Sequence, residues 1–272
     1  MPETCEDVLH HAADAVRNAD ALLIGAGAGM GVDSGLPDFR GDAGFWKAYP
    51  ALYGQSFAEI ANPIWFRRAP AFAWGFYGHR LNMYRSTVPH QGFHILRRWA
   101  DSKPQGYFVF TSNVDGHFQK AGFAEDKILE CHGSIHHLQC VAGCSDHLWN
   151  ADEVDLKIDE IILHAISELP RCRRCQGLAR PNILMFGDGQ WLDHRSMEQS
   201  RRYTAWLRQV AQTNLVAIEL GAGKAIPTVR FECAQRGRTL IRINLREAEA
   251  HAGAISIAKG AMDALERLNE LV

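Results

Sequence analysis

The chain has 272 residues, 47% hydrophobic and 22% charged, enough for one large core and too apolar for a disordered or fibrous class. A formal net charge of −2 gives no global electrostatic reason to bind nucleic acid. No apolar run approaches the ~18 residues of a membrane span. The N-terminus, MPETCEDVLHH, also lacks a basic-then-apolar signal, so a cytoplasmic chain with reduced thiols is expected.

Residues 4–18 predict an amphipathic helix, with Thr4 and Asp7 in a capping pattern and Val8, Ala12 and Val16 at helical spacing. Ala21-Leu22-Leu23-Ile24 then reads as a buried parallel strand, followed by the glycines of Gly25-Ala-Gly-Ala-Gly-Met-Gly31. Such glycines let backbone amides approach a pyrophosphate; the plainer alternative is a tight strand-to-helix turn. Beyond Pro37, the residues Asp38, Phe39 and Arg40 would hang on a loop over the phosphates. Residues 44–103 are rich in Trp, Phe and Tyr at helical spacing with no clear strand. Within them Tyr77 and Arg80 share a face at i and i+3, a pair suited to a carboxylate.

Tyr107–Thr111, Leu215–Leu220 and Thr239–Asn244 are further strand candidates, and a helix around Ala258–Leu271 closes the chain. Strands alternating with helices indicate an α/β fold on an open parallel sheet. Asn113 and Asp115 fall just past a strand end, where open sheets place ligands; a polar turn cap is the alternative. His132, after the apolar Ile128-Leu129, is a candidate base at neutral pH, against a structural histidine. His136 and His137 read as structural.

Of seven cysteines, four form two pairs: Cys140-x-x-x-Cys144, 27 residues, then Cys172-x-x-Cys175. This is a four-thiolate zinc pattern, and four protein ligands leave no open coordination position, so the expected Zn2+ is structural. His147 is a weaker competing ligand. Asn244 ends a strand and reads either as a ribose ligand or as a strand cap.

Taken together, these motifs resemble the sirtuin family. Gly27-Ala28-Gly29 with Ser34-Gly-Leu-Pro-Asp-Phe-Arg40 is similar to its first signature, and six more motifs follow in order. They are Thr111-Ser-Asn-Val-Asp115 with Ala121-Gly122, Glu130-Cys-His-Gly-Ser134, Cys172-x-x-Cys175 with Arg180-Pro181, Phe186-Gly-Asp188, Gly221-Ala-Gly223 with Pro227, and Ile243-Asn244. The resemblance implies one catalytic domain. Its Rossmann-like part would span 1–43, 104–137 and 181–272, with a small module from 44–103 (helical) and 138–180 (zinc).

It also implies NAD as co-substrate and an acyl-lysine protein or peptide as substrate. The acyl oxygen would attack the nicotinamide ribose, and His132 would deprotonate a ribose hydroxyl, leaving free lysine, nicotinamide and an O-acyl-ADP-ribose. Asn113 and Asp115 would assist catalysis. Gly27, Ala28, Gly29, Asp38, Phe39, Arg40, Ser112, Gly221, Gly223 and Asn244 would line the cofactor site, and Phe186 and Gly187 would meet the substrate. Ala61, Tyr77 and Arg80 resemble the class that removes succinyl, malonyl or glutaryl groups; the alternative is an aromatic helix on the core with a solvated Arg80. The chain departs from the family pattern at Gly31, Gly223, Ser112 and His117-Phe118, around phosphates, nicotinamide and ribose. Mono-ADP-ribosyl transfer or NAD hydrolysis on the same scaffold therefore stays open, as does a weakly catalytic NAD-sensing module.

Overall fold

Thr4 and Asp7 do open the first helix, each side chain accepting from the other's backbone N–H. The computed structural model describes residues 4–37 and 41–272, so the predicted Asp38, Phe39 and Arg40 lie outside the described residues. In chain order the helices are α1 (Cys5–Arg17), α2 (Gly41–Ala48), α3 (Phe57–Ile60), α4 (Trp65–Arg68), α5 (Pro70–Ser86), α6 (Gln91–Asp101), α7 (His117–Lys120), α8 (His194–Gln209), α9 (Thr228–Arg236) and α10 (Ala261–Leu271). The strands are β1 (Ala21–Ala26), β2 (Tyr107–Thr111), β3 (Ile128–Glu130), β4 (Gly133–Cys140), β5 (Trp149–Asn150), β6 (Ile158–Asp159), β7 (His164–Ala165), β8 (Ala179–Ile183), β9 (Leu215–Leu220), β10 (Thr239–Ile243) and β11 (Ile255–Ile257).

Six strands form one parallel sheet in the order β11-β10-β9-β1-β2-β3. Every residue of β1, β2 and β9 is buried, the mark of a sheet covered on both faces. Alternation divides the side chains: Leu22 and Ile24 face a core with α1, α6 and α10, whereas Ala21 and Leu23 face one with α8 and α9. From β1 the chain winds outward through β2 and β3, then returns to β9 on the other side of β1. Strand order therefore reverses between β1 and β9, and a crevice opens beyond their carboxyl ends. Strands β3 and β11, three residues each, were not among the predicted strands.

A third core joins the aromatic stretch to the cysteine-bearing segment. Phe45, Phe66, Trp74 and Phe76 pack with Trp149 and Ile183. Trp74 Nε1 donates to the Ala179 carbonyl at 2.9 Å, tying α5 to β8. Here β5, β4 and β8 form an antiparallel sheet, unforeseen in the sequence, and β6 pairs with β7. No helix among the described residues is long and apolar enough to cross a membrane.

Candidate active site

Two loops meet backbone to backbone at the crevice. Gly27 N–H donates to the Leu220 carbonyl and Gly29 N–H to the Gly221 carbonyl, both at 3.0 Å. A Cβ on Gly27 would stand 2.8 Å from the Gly221 oxygen, and one on Gly221, whose φ is +58°, 2.4 Å from the Gly29 carbonyl carbon. Only glycine permits this approach. Ala28 begins the short 3-10 turn Ala28–Ser34. That turn is held from behind by His90, whose Nε2 donates to the Met30 carbonyl at 2.9 Å and whose backbone N–H donates to Ser34 Oγ. Gly223 is followed by Lys224, whose N–H donates to the Glu247 carboxylate at 3.0 Å. Asn244 is 1% exposed. Its Nδ2 donates to the Ala222 carbonyl, and its Oδ1 accepts from the N–H groups of Arg246 and Glu247. It thus caps its strand and pins the Gly221–Gly223 loop.

The predicted nicotinamide-side residues gather at the ends of β2 and β3. Asn113 Nδ2 donates to the Gly27 carbonyl at 3.0 Å, joining the two loops. Thr111 Oγ1 accepts from Asn113 N–H and donates to the Ala26 carbonyl, which sets the turn. Asp115 Oδ1 accepts from the His117 N–H at the start of α7, and the Asp115 carbonyl accepts from His136 Nε2 at 2.8 Å. His132 follows β3. Burial holds its pKa below the ordinary histidine value, and a hydrogen bond to the Ser112 backbone partly offsets that. The next residue, Gly133, has φ +77°, and a Cβ there would stand 2.1 Å from the Asn182 carbonyl oxygen, so β4 can leave His132 sharply. The structure thus brings Gly27, Ser112, Asn113 and His132 together.

On the small-module side, Phe186 N–H donates to the Ala61 carbonyl at 2.9 Å, so the Phe186-Gly187 segment docks on the residue that ends α3. The Phe186 ring is half exposed and meets Phe57 edge-on. Arg180 and Asp188 form a buried two-bond ion pair, 2.6 and 2.9 Å, directly behind Gly187. Arg80 is 7% exposed, which corrects the expectation of a solvated side chain that accompanied the aromatic-helix alternative. Its Nε and Nη2 donate to the Tyr84 hydroxyl at 3.1 and 2.8 Å, and its guanidinium lies against the rings of Phe76, Tyr77 and Tyr84. The Tyr77 ring stacks on Phe66, and its buried hydroxyl has no hydrogen-bond partner among the described residues.

The sulfurs of Cys140, Cys144, Cys172 and Cys175 lie within 4.8 Å of one another. Burial works against the Cys172 thiolate, but hydrogen bonds from the Cys175 and Arg174 backbones bring its pKa down to about 7. Four converging thiols with backbone donors fit a tetrahedral structural zinc. His147 stacks on Trp149 outside the cluster, so it is not a ligand.

Tyr84 and His90 escaped the sequence reading, and so did the pairing of Arg180 with Asp188, although both stand in motifs it named. The spacing of Tyr84, four residues after Arg80, was the one available signal.

Comparison with known proteins agrees with this geometry. The profile of the Sir2 family matches residues 27–210. A protein of Thermococcus kodakarensis named NAD-dependent protein deacylase is 31% identical over 88% of this chain and 85% of its own. One of the same name from Aquifex aeolicus is 30% identical over 81% of this chain and 82% of its own. Among solved structures, a Sir2 homolog–NAD complex superposes with a TM-score of 0.70 at 22% identity, covering 96% of this chain and 92% of that one, a likeness of fold. By profile, relatives and fold alike, the chain belongs to the Sir2 family.

Proposed function

We propose that the protein is an NAD-dependent protein-lysine deacylase, which transfers the acyl group to ADP-ribose and releases nicotinamide. The observation that carries this reading is the convergence at the sheet's crevice of the β3 end bearing His132, bonded through the Cys131 N–H to the Thr111 carbonyl, with an Asn113 bonded to the glycine loop. Relatives named NAD-dependent protein deacylases, aligned along most of the chain, support it.

Each residue then has a role. The Gly27, Gly29 and Gly221 N–H groups are committed to carbonyls, so within these loops the Ala28, Ala222 and Gly223 amides would face the pyrophosphate. Asn113 and Asp115 would hold the nicotinamide ribose. His132 is kept neutral near pH 7 by burial and would accept the proton of a ribose hydroxyl. The zinc would pin β4 and β8 without taking part in chemistry, which suits a reducing, cytoplasmic setting.

Within this reading the preferred acyl group is negatively charged, succinyl or malonyl. The Arg80 guanidinium, lying against three rings, offers a permanently charged planar fork to an acyl carboxylate, and the buried Tyr77 hydroxyl beside it is a second donor. The test is incubation with NAD and matched succinyl- and acetyl-lysine peptides, with product masses recorded. The expected products are free lysine peptide, nicotinamide and an O-acyl-ADP-ribose. Nicotinamide and ADP-ribose with the acyl peptide intact would reduce the protein to an NAD hydrolase, and a peptide gaining ADP-ribose would make it a transferase.

A further inference from the structure

Strand β3 is an edge of the parallel sheet, and it delivers His132 two residues after its last member. Edge strands carry backbone groups with no ladder partner. Along β3 those groups alternate in direction. Cys131 N–H donates to the Thr111 carbonyl of β2 at 2.9 Å, so Cys131 faces into the sheet and Glu130 faces out. Glu130 is nevertheless 1% exposed, so its N–H and C=O need partners other than water.

Side chains of α8 supply them. Glu130 N–H donates to Gln199 Oε1 at 3.1 Å, and the Glu130 carbonyl accepts from Ser196 Oγ at 2.9 Å. The Glu130 carboxylate accepts from Arg195 Nη2 at 2.6 Å. One turn further along, Arg202 Nε donates to the Asp126 carbonyl just before the strand at 3.3 Å. A helix thus stands in for the missing seventh strand. Its contacts concentrate on the residue immediately before Cys131-His132.

The geometry points to Ser196 and Gln199 as positioning residues for His132. On its inner side the strand is held by β2, whose Thr111 carbonyl accepts from the Cys131 N–H directly before His132. On its outer side Ser196 and Gln199 of α8 hold the backbone of Glu130, while beyond the strand end the Leu184 N–H donates to the His132 carbonyl at 2.9 Å. Loss of either α8 side chain lets β3 slide or rotate by a fraction of an ångström, enough to take the imidazole out of line with a ribose hydroxyl. The glycine loops, Asn113 and the acyl side are built from other elements and keep their places. The signature is therefore slower turnover at unchanged binding. This inference rests on the reading of His132 as the base.

The test uses Gln199→Met and the milder Ser196→Ala, with Ser196→Thr retaining a hydroxyl donor. Both deletions are expected to lower kcat about tenfold to a hundredfold. KM for the acyl peptide, and NAD affinity measured by calorimetry, should stay within roughly twofold, because ground-state contacts are untouched. Ser196→Thr should restore most of the rate. Wild-type kcat in both deletions, a loss shared equally by NAD affinity, or a Ser196→Thr enzyme as slow as Ser196→Ala would each overturn the inference. His132→Ala run in parallel separates the two claims. An inactive His132→Ala enzyme beside a fully active Gln199→Met enzyme sinks the clamp alone, whereas an active His132→Ala enzyme sinks the base and the clamp together.

Discussion

His132 shows what burial does to a single residue. Its ring is held below the ordinary histidine pKa, so it is ready to accept a proton at neutral pH. His132→Ala should cut kcat by about 10²–10⁴, the usual contribution of a general base, while NAD affinity changes little; single-turnover rates and calorimetry would show it. Arg80 is the opposite case, a charge that burial cannot neutralise. A charge-assisted contact from Arg80 to an acyl carboxylate is worth about 1.5–3 kcal/mol, so succinyl should be preferred over acetyl by roughly tenfold to a hundredfold in kcat/KM. Arg80→Met should erase that ratio, and a mutant losing both activities equally would mean that Arg80 does not read the acyl group. Tyr77 adds a finer check. Its hydroxyl is buried without a partner among the described residues, so Tyr77→Phe should leave stability equal or slightly higher while lowering desuccinylation. A hydroxyl whose removal lowers stability would instead be structural.

Among the elements, the loop after β8 depends on a buried ion pair. The Arg180 and Asp188 side chains are 3% and 0% exposed, so Asp188→Ala strands a guanidinium in the interior. That should cost about 3–5 kcal/mol in urea or thermal unfolding, far more than a surface pair would. The same loop carries Phe186 to the Ala61 carbonyl, so the variant's KM for peptide should rise as well. The cysteine cluster acts on a wider stretch, because its two halves come from either end of the β4–β8 segment. Metal analysis should find one zinc per chain. A chelator or any single Cys→Ser change should lower the melting temperature, since metal binding to such a site is folding free energy. Freshly purified protein without zinc would refute the assignment.

For the whole molecule, acid is the expected weakness. His90, His117, His132 and His137 all have pKa values lowered chiefly by burial, His137 to about 4 with Arg195 as a second cause. Unfolded, these rings take up protons near pH 6.5, whereas folded they resist until lower pH. Below pH 6.5 the unfolded state therefore binds more protons, and stability falls as pH falls. Stability should be complete above about pH 6.5 and decline steadily towards pH 4, as a series of urea midpoints across that range would record. A flat profile between pH 7 and 5 would contradict the buried, neutral histidines.

Much of this was legible in the residues alone. Ala21–Ala26 announced a buried strand because an apolar run before glycines has few other places to go, and the cysteine spacing announced a metal because thiolate geometry is local. The ordered motifs carried the family, the α/β sheet and the residues around His132 and Asn113. Short elements were another matter. Strands β3 and β11, three residues each, and the β4–β8 pairing are held by partners distant in sequence, which no local pattern encodes. The same is true of side-chain commitments. Nothing local said which loop Asn244 would hold, whether Arg80 would be solvated, or whether Glu130 would be an ordinary surface acid. Packing decided each of them, through Ala222, through Tyr84 and its neighbouring rings, and through three residues of α8. Chemistry near a motif is specified by residue type and spacing, whereas burial and hydrogen-bond partners are set by how distant segments meet in three dimensions.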